Sequence, residues 1–156
     1  MARNLDDVDR VILRELTADG RSTVRALART VGLSEPSVRD RLQRLERDGV
    51  ISGYRAIVDP DAVGAGTAAF IALRFEPGQK AKDVVNRELA AEARVLEVHE
   101  VAGEDCYWVK LRVSGTAELS EVLDRVRAIP PVRSTSTTIV LRTVIERALD
   151  PGELPG

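Results

Sequence analysis

Residues 27–50 read LARTVGLSEPSVRDRLQRLERDGV, and this stretch decides the fold of the first part of the chain. It contains the end of one helix, a short turn and a second helix. Val24, Leu27, Ala28 and Val31 recur at helical spacing and make one apolar stripe on a helix expected from Thr23 to Val31. Gly32 suits the left-handed position that closes a helix, Leu33 is expected as the apolar plug of the turn, and Ser34 is a natural cap for the next helix. Pro36 then falls in a first turn, where its missing N–H costs nothing. Val38, Leu42 and Leu45 form the stripe of that helix, which ends at Gly49.

Two short helices joined by such a turn are the helix-turn-helix pattern. Pro36, Ser37, Asp40, Gln43, Arg44 and Arg47 point away from the stripe, and Arg39 and Arg41 flank it. Short hydroxyls early and arginines further along suit a helix lying in the major groove of double-stranded DNA. The candidate DNA-binding residues are Ser34, Pro36, Ser37, Arg39, Asp40, Arg41, Gln43 and Arg44. The bland alternative is a three-helix bundle with a polar face. Turn spacing, cap and basic face together favour DNA, although each alone is weak.

Working back towards the start, Val8, Val11, Ile12 and Leu16 make a first helical stripe. Asp6, Asp7 and Asp9 open it, where acids complement the positive end of the helix dipole. Gly20 stands just past its end. Charge is unevenly spread. The chain of 156 residues is −2 overall, yet residues 20–55 carry eight arginines against four acids, and residues 61–156 carry 12 basic against 15 acidic residues. A basic patch on an acidic body points to one anionic partner for one part of the chain, against the plainer reading of a solvated arginine-rich surface. One cysteine cannot staple a fold and fits a reducing compartment. No apolar run is long enough to span a bilayer and the start lacks a signal-peptide core, so a cytoplasmic protein with no membrane partner is expected.

Working forward, ISGYRAIVDP (51–60) reads as a short strand or wing through Ile51, Tyr54, Ala56 and Val58. Asp59-Pro60-Asp61 and the glycines at 64 and 66 read as a linker. The expected organisation is a DNA-binding domain at 1–53, a linker strand at 54–66, a second domain at 67–149 and a tail at 150–156. TAAFIALRF (67–75) is apolar at nearly every position, as a strand buried on both faces would be. A helix at 79–92, strands at RVLEVHEVAG and CYWVKLRVS, a helix from Glu118 to Ala128 and a strand at 134–144 follow. The order βαββαβ is the ferredoxin-like split unit. The fold class is therefore α+β, a winged helix-turn-helix domain followed by a ferredoxin-like domain. Two helices cover one sheet face, so the apolar first strand calls for a second chain on the other, a homodimer.

HEVAGEDCYW (99–108) gathers the single histidine, cysteine and tryptophan beside three acids, Glu100, Glu104 and Asp105. One histidine without a second, and without a plausible cysteine partner, makes neither a metal site nor a nucleophile–base pair convincing. The stretch reads more simply as a glycine turn between two strands.

LDDVDRVILRELTADGR, LARTVGLSEPSVRDRLQRLERDGVISGY, VHEVAGEDCYWVKLRV and TSTTIVL occur in the order and spacing of the Lrp/AsnC family of bacterial and archaeal transcription regulators, which the chain resembles over nearly its whole length. The resemblance implies a DNA-binding regulator with no cofactor, not an enzyme. It implies dimers that assemble into a tetramer or an octamer, and a small effector, an amino acid, bound between C-terminal domains. Carried over to this sequence, the effector-binding residues are Gly103, Glu104, Asp105, Cys106 and Tyr107 of the loop, with Thr135 and Thr137 of the T-x-T segment. Many members have an acid where Cys106 stands here. The alternative is an enzyme like the haem-biosynthesis decarboxylases of similar architecture, with His99 as acid or haem ligand.

Overall fold

The computed structural model describes residues 5–147, 149 and 151. They form two compact units, and the division falls between Ile57 and Val58, inside the stretch read as a linker. The described residues from Ile145 onward group with the first unit.

The first unit is three helices, α1 (Asp7–Ala18), α2 (Val24–Val31) and α3 (Glu35–Arg47). Side chains cap all three at their N-termini. Asp6 and Asp9 form a reciprocal capping box, at 2.8 and 3.3 Å. Thr23 accepts from the Ala26 N–H at 3.1 Å, and Ser34 from the Ser37 N–H at 3.3 Å. Gly32 takes a left-handed φ of 68° and closes α2, with the Leu33 N–H turned back onto the Ala28 carbonyl at 3.1 Å. Leu33 itself is 36% exposed and lies outside the core of this unit. The core is Ile12, Leu13, Leu27, Ala28, Val38 and Leu45. Asp9 is buried beside it.

The strand expected at 54–66 does not form. A strand exists only where a ladder partner does, and residues 52–59 pair with none among the described residues. Ile57 is 95% exposed. Tyr54 instead donates its hydroxyl to Glu46 at the end of α3, at 2.9 Å. Burial, and then that carboxylate, push its phenol up to about 12.

The second unit contains β1 (Thr67–Phe75), α4 (Gln79–Ala91), β2 (Val95–Glu100), β3 (Tyr107–Val113), α5 (Thr116–Arg127) and β4 (Val132–Ile139). The four strands form one antiparallel sheet in the order β2-β3-β1-β4, the ferredoxin-like arrangement expected. Ala69, Ile71 and Leu73 of β1 and Tyr107, Val109, Leu111 and Val113 of β3 share the helix-covered face. Val85, Leu89, Leu119, Val122 and Val126 meet them from the helices. Within one chain β1 is not buried on both faces: Phe70 is 38% exposed and its neighbour on the open face, Trp108, 51%. The last strand stops at Ile139, short of the expected 144, and Leu141 is 98% exposed.

α4 and α5 are tied by an ion pair. Arg125 donates to Glu92 at 2.8 Å, and the Arg94 N–H donates to the same carboxylate at 3.2 Å. The arginine first, with help from that N–H and against the cost of burial, holds Glu92 below the ordinary 4.5. A carboxyl held low in the folded state contributes stability above its unfolded value and loses it as pH falls through the folded one. Glu92→Gln should therefore lower the melting temperature at neutral pH and flatten its fall below the ordinary 4.5. Thermal melts followed by circular dichroism at stepped pH check this, and an unchanged acid limb would assign the acid sensitivity to other carboxylates.

Candidate nucleic-acid interface and effector loop

α3 carries the candidate DNA face. Its apolar side is anchored by Val38 and Leu45, both buried. Ser34, Pro36, Ser37, Arg39, Asp40 and Gln43 are all exposed, with Ser34 and Ser37 sharing a hydroxyl–hydroxyl hydrogen bond of 2.8 Å. The structure thus places these six of the eight expected residues on open surface.

The other two stand differently. Arg44 was expected to point outward and Arg41 to flank, but both guanidiniums turn to α1. One Arg44 nitrogen donates to both carboxylate oxygens of Asp9, at 2.7 and 2.6 Å. One Arg41 nitrogen donates to Asp9 at 2.8 Å and to Asp6 at 2.6 Å. The physical reason lies in Asp9, which is 1% exposed. A carboxylate removed from water is tolerated only when paired and hydrogen-bonded, and two arginines one turn apart on α3 supply that. Arg41 and then the Asp9 N–H hold the Asp6 carboxyl below its ordinary range, and the acids in turn raise Arg41. Sequence reasoning took Asp9 for a helix-dipole acid. The available signal was its position between Val8 and Ile12, on the stripe itself.

The β2–β3 loop contains the expected effector residues. Gly103 has a φ of 155°, outside the range an L side chain readily adopts. Arg74, at the end of β1, donates to Asp105 at 3.1 Å and to Glu104 at 2.8 Å. Those acids do not point free. The Cys106 N–H extends the sheet by donating to the Leu73 carbonyl at 2.8 Å, and its thiol is half-buried near the Phe75 carbonyl. Tyr107 is not an open loop residue. It is 3% exposed, packs edge-on against Phe75 at 4.9 Å, and donates its hydroxyl to Asn86 at 2.7 Å.

Thr135 and Thr137 lie on β4, on the helix side of the sheet, opposite Leu73 and Ile71 of β1. Arg127, at the end of α5, donates to Thr135 at 3.1 Å, while the Thr137 hydroxyl is buried without a partner among the described residues. Sequence reasoning missed Arg127, and its signal was only a basic residue in the last helical turn before the proline break. A cleft of about 450 Å³ between α4 and β2 takes in Tyr107, Asn86 and Glu100 but none of the other expected effector residues. The rare residues of 99–108 do not converge: His99 bonds to Glu97 on its own strand at 3.0 Å. Among the described residues no group of three His, Cys, Asp or Glu side chains is placed to hold a metal ion, and no helix is long and apolar enough to cross a membrane.

Comparison with known proteins places these features. The family described as Lrp/AsnC ligand binding domain matches residues 68–149, and the family described as winged helix-turn-helix DNA-binding matches residues 5–52. The HTH-type transcriptional regulator LrpA of Mycobacterium tuberculosis is 41% identical over 144 residues, 92% of this chain and 94% of that one. A transcriptional regulator of Neisseria meningitidis in complex with L-methionine has the same fold, with a TM-score of 0.89 at 27% identity over 97% of each chain. A feast or famine regulatory protein of M. tuberculosis complexed with L-methionine gives a TM-score of 0.83 at 40% identity, over 92% of this chain and 96% of that one. These relatives regulate transcription, and nothing in them supports the decarboxylase alternative.

The burial of Tyr107 yields a stability expectation. Tyr107→Phe removes one hydrogen bond to a solvent-accessible partner and should cost about 1 kcal/mol. Tyr107→Ala removes a packed ring and should cost about 3–5 kcal/mol. Urea unfolding measures both, and equal, negligible losses would place the ring outside the core.

Proposed function

The chain belongs to the Lrp/AsnC family of DNA-binding transcription regulators, and from that premise we propose that α3 reads the major groove of duplex DNA while the ferredoxin-like domain binds an amino-acid effector. The observation that carries the first half is the exposed face of Ser34, Pro36, Ser37, Arg39, Asp40 and Gln43, directed away from the buried Val38 and Leu45. Arg39 can offer a paired donor to guanine, and Gln43 both a donor and an acceptor to adenine. Asp40, between them, disfavours bases that present only acceptors. Arg41 and Arg44 support this face from behind, through α1. Residues 1–53 are the DNA-binding domain in this reading, 54–66 the connection, 67–149 the effector-binding and oligomerising domain and 150–156 a tail.

For the effector, the relatives bound to L-methionine indicate the ligand class. An α-amino acid brings a carboxylate and an ammonium. At the α5–β4 corner Arg127 has guanidinium donors to offer a carboxylate, beside the unpartnered Thr137 hydroxyl and Thr135. In the loop, Gly103 allows close backbone approach, and Glu104 and Asp105 form an anionic pair for the ammonium if Arg74 yields. Cys106 supplies no charge at a position where an acid is common, so the two acids before it take that role. Tyr107 stiffens the loop from inside the core. The open sheet face, with Phe70 and Trp108, is the proposed homodimer surface, and dimers assemble further to a tetramer or an octamer. A regulator of this kind works where the DNA is, in the cytoplasm.

Arg39→Ala should weaken binding to a duplex selected from a random-sequence pool by about 5- to 150-fold, the loss of a contact worth about 1–3 kcal/mol, without altering the dimer on a sizing column. Unchanged affinity would remove α3's outer face from the interface. A thermal-shift screen of the twenty amino acids tests the second half. L-Methionine or a related amino acid should raise the melting temperature, and Arg127→Ala and Thr137→Val should each abolish the rise; a rise retained in both excludes the α5–β4 corner.

A further inference from the structure

α3 holds four arginines, at 39, 41, 44 and 47, against Glu35, Asp40 and Glu46. Its affinity for a polyanion depends on which of those positive charges are uncompensated. Two are not available. Arg41 and Arg44 each give a nitrogen to the buried carboxylate of Asp9, and Arg41 gives the same nitrogen to Asp6. Two cations and two anions within hydrogen-bond distance form a neutral cluster. A phosphate approaching the half-exposed arginines meets the acids' field as well as theirs, so little net attraction remains. Arg47 is nearer to a charge pair than to freedom, with Asp48 at 3.8 Å.

We propose that Asp9 is a positioning residue for DNA recognition: it fixes α3 against α1 and, by neutralising Arg41 and Arg44, withholds them from the phosphate backbone. The inference rests on the reading of α3 as the DNA helix. Counterion release makes non-specific affinity grow with the number of phosphates neutralised, whatever the sequence. A recognition helix with four unopposed arginines would gain affinity for any duplex and lose discrimination. Holding two of them on α1 keeps binding dependent on Ser37, Arg39 and Gln43, which face out. The same carboxylate also accepts from the Asp6 N–H in the capping box at 3.3 Å, so the start of α1 and the pose of α3 are set by one side chain.

The test compares the parent and Asp9→Asn, which keeps the shape and one acceptor but removes the charge. Binding is measured against two duplexes of equal length, one selected from a random pool by the parent and one of mixed sequence, over a salt series. Asp9→Asn should bind the mixed duplex more tightly, steepen the plot of log affinity against log salt by about 1 per protomer, because Arg41 keeps Asp6 while Arg44 loses its partner, and reduce the preference for the selected duplex. An unchanged slope in a folded Asp9→Asn overturns the proposal. Should that variant not fold, two others decide. Arg41→Gln in the parent background should leave the slope unchanged, and a decrease of about 1 would show that this arginine already contacts phosphate. The quadruple variant Asp6→Asn, Asp9→Asn, Arg41→Gln, Arg44→Gln removes two charges of each sign, leaves the cluster neutral as in the parent, and should match the parent's slope; a shallower slope overturns the proposal. Arg39→Ala is measured alongside. If it loses affinity while the slopes of the other variants contradict the clamp, the clamp fails and α3's role stands.

Discussion

The carboxylate of Asp9 has almost no access to water, and the packing of the helix-turn-helix unit is arranged around satisfying it. Three residues of other segments converge on it: the backbone N–H of Asp6 and the guanidiniums of Arg41 and Arg44. Apolar contact among Ile12, Leu27, Val38 and Leu45 holds the helices together but is non-directional, and tolerates small rotations of a helix about its axis. A buried ion pair does not, because a charge moved off its partner is left desolvated. Rotation of α3 about its own axis is therefore resisted by Arg41 and Arg44, which sit one turn apart on the same flank. That angle decides which side chains face outward. The outer face of α3 is thus defined from the inside, by a pair of contacts that never leave the unit.

The second unit is governed by a different constraint. β1 is central in the sheet, pairing with β3 on one side and β4 on the other, and Ala69, Ile71 and Leu73 on its helix side are buried. Its other side presents Ala68, Phe70 and Ala72, beside Trp108 of β3. Residues with no polar group to offer solvent occupy the middle of that face, while Lys110, Arg112 and the hydroxyls of Ser136 and Thr138 flank them. This is the composition of an interface with an apolar centre and polar rim. The ferredoxin-like topology leaves such a face open in every single copy, which is why an apolar central strand in this arrangement argues for a second chain.

Much of this was legible in the sequence where the determining interactions are local. The cap Ser34, the left-handed Gly32 and the stripes of α2 and α3 act within a few residues and stand where their spacing placed them, whereas Thr23, read as the first helical residue, caps α2, and Leu13 rather than Val11 joins the core. Tyr107 was legible too: it alternates with Val109, Leu111 and Val113 on the buried face, while the family resemblance assigned it to the loop. The pairing of Asp9 was not legible, because its partners lie 32 and 35 positions away, and its place on the stripe was passed over because a charge at a helix start has a sufficient local explanation. The strand expected at 54–66 failed for the complementary reason. Alternation says a segment is suited to pairing, but it does not supply a partner. Arg127 and Thr135 meet only because α5 and β4 fold back on one another, across a break at Pro130 and Pro131.

Both candidate sites contain charges already paired within the chain: Asp9 with Arg41 and Arg44, and Glu104 and Asp105 with Arg74. The consequences differ because burial differs. Asp9 is sealed, so its pairing is structural and a partner cannot be exchanged without leaving a desolvated charge. Glu104 is 89% exposed and Arg74 half so, so that pairing is held in high dielectric and contributes little to stability. An incoming ammonium can take Arg74's place at small cost, and the displaced guanidinium remains in water. On the reading proposed for the loop, a zwitterion suits this exchange better than a simple cation. Its ammonium replaces the arginine at the acids, and its carboxylate leaves the local net charge unchanged. On that reading the loop is an exchangeable pair held on a stiff support of Tyr107 and the Cys106 backbone, while the pairing of Asp9 with α3 is a fixed one.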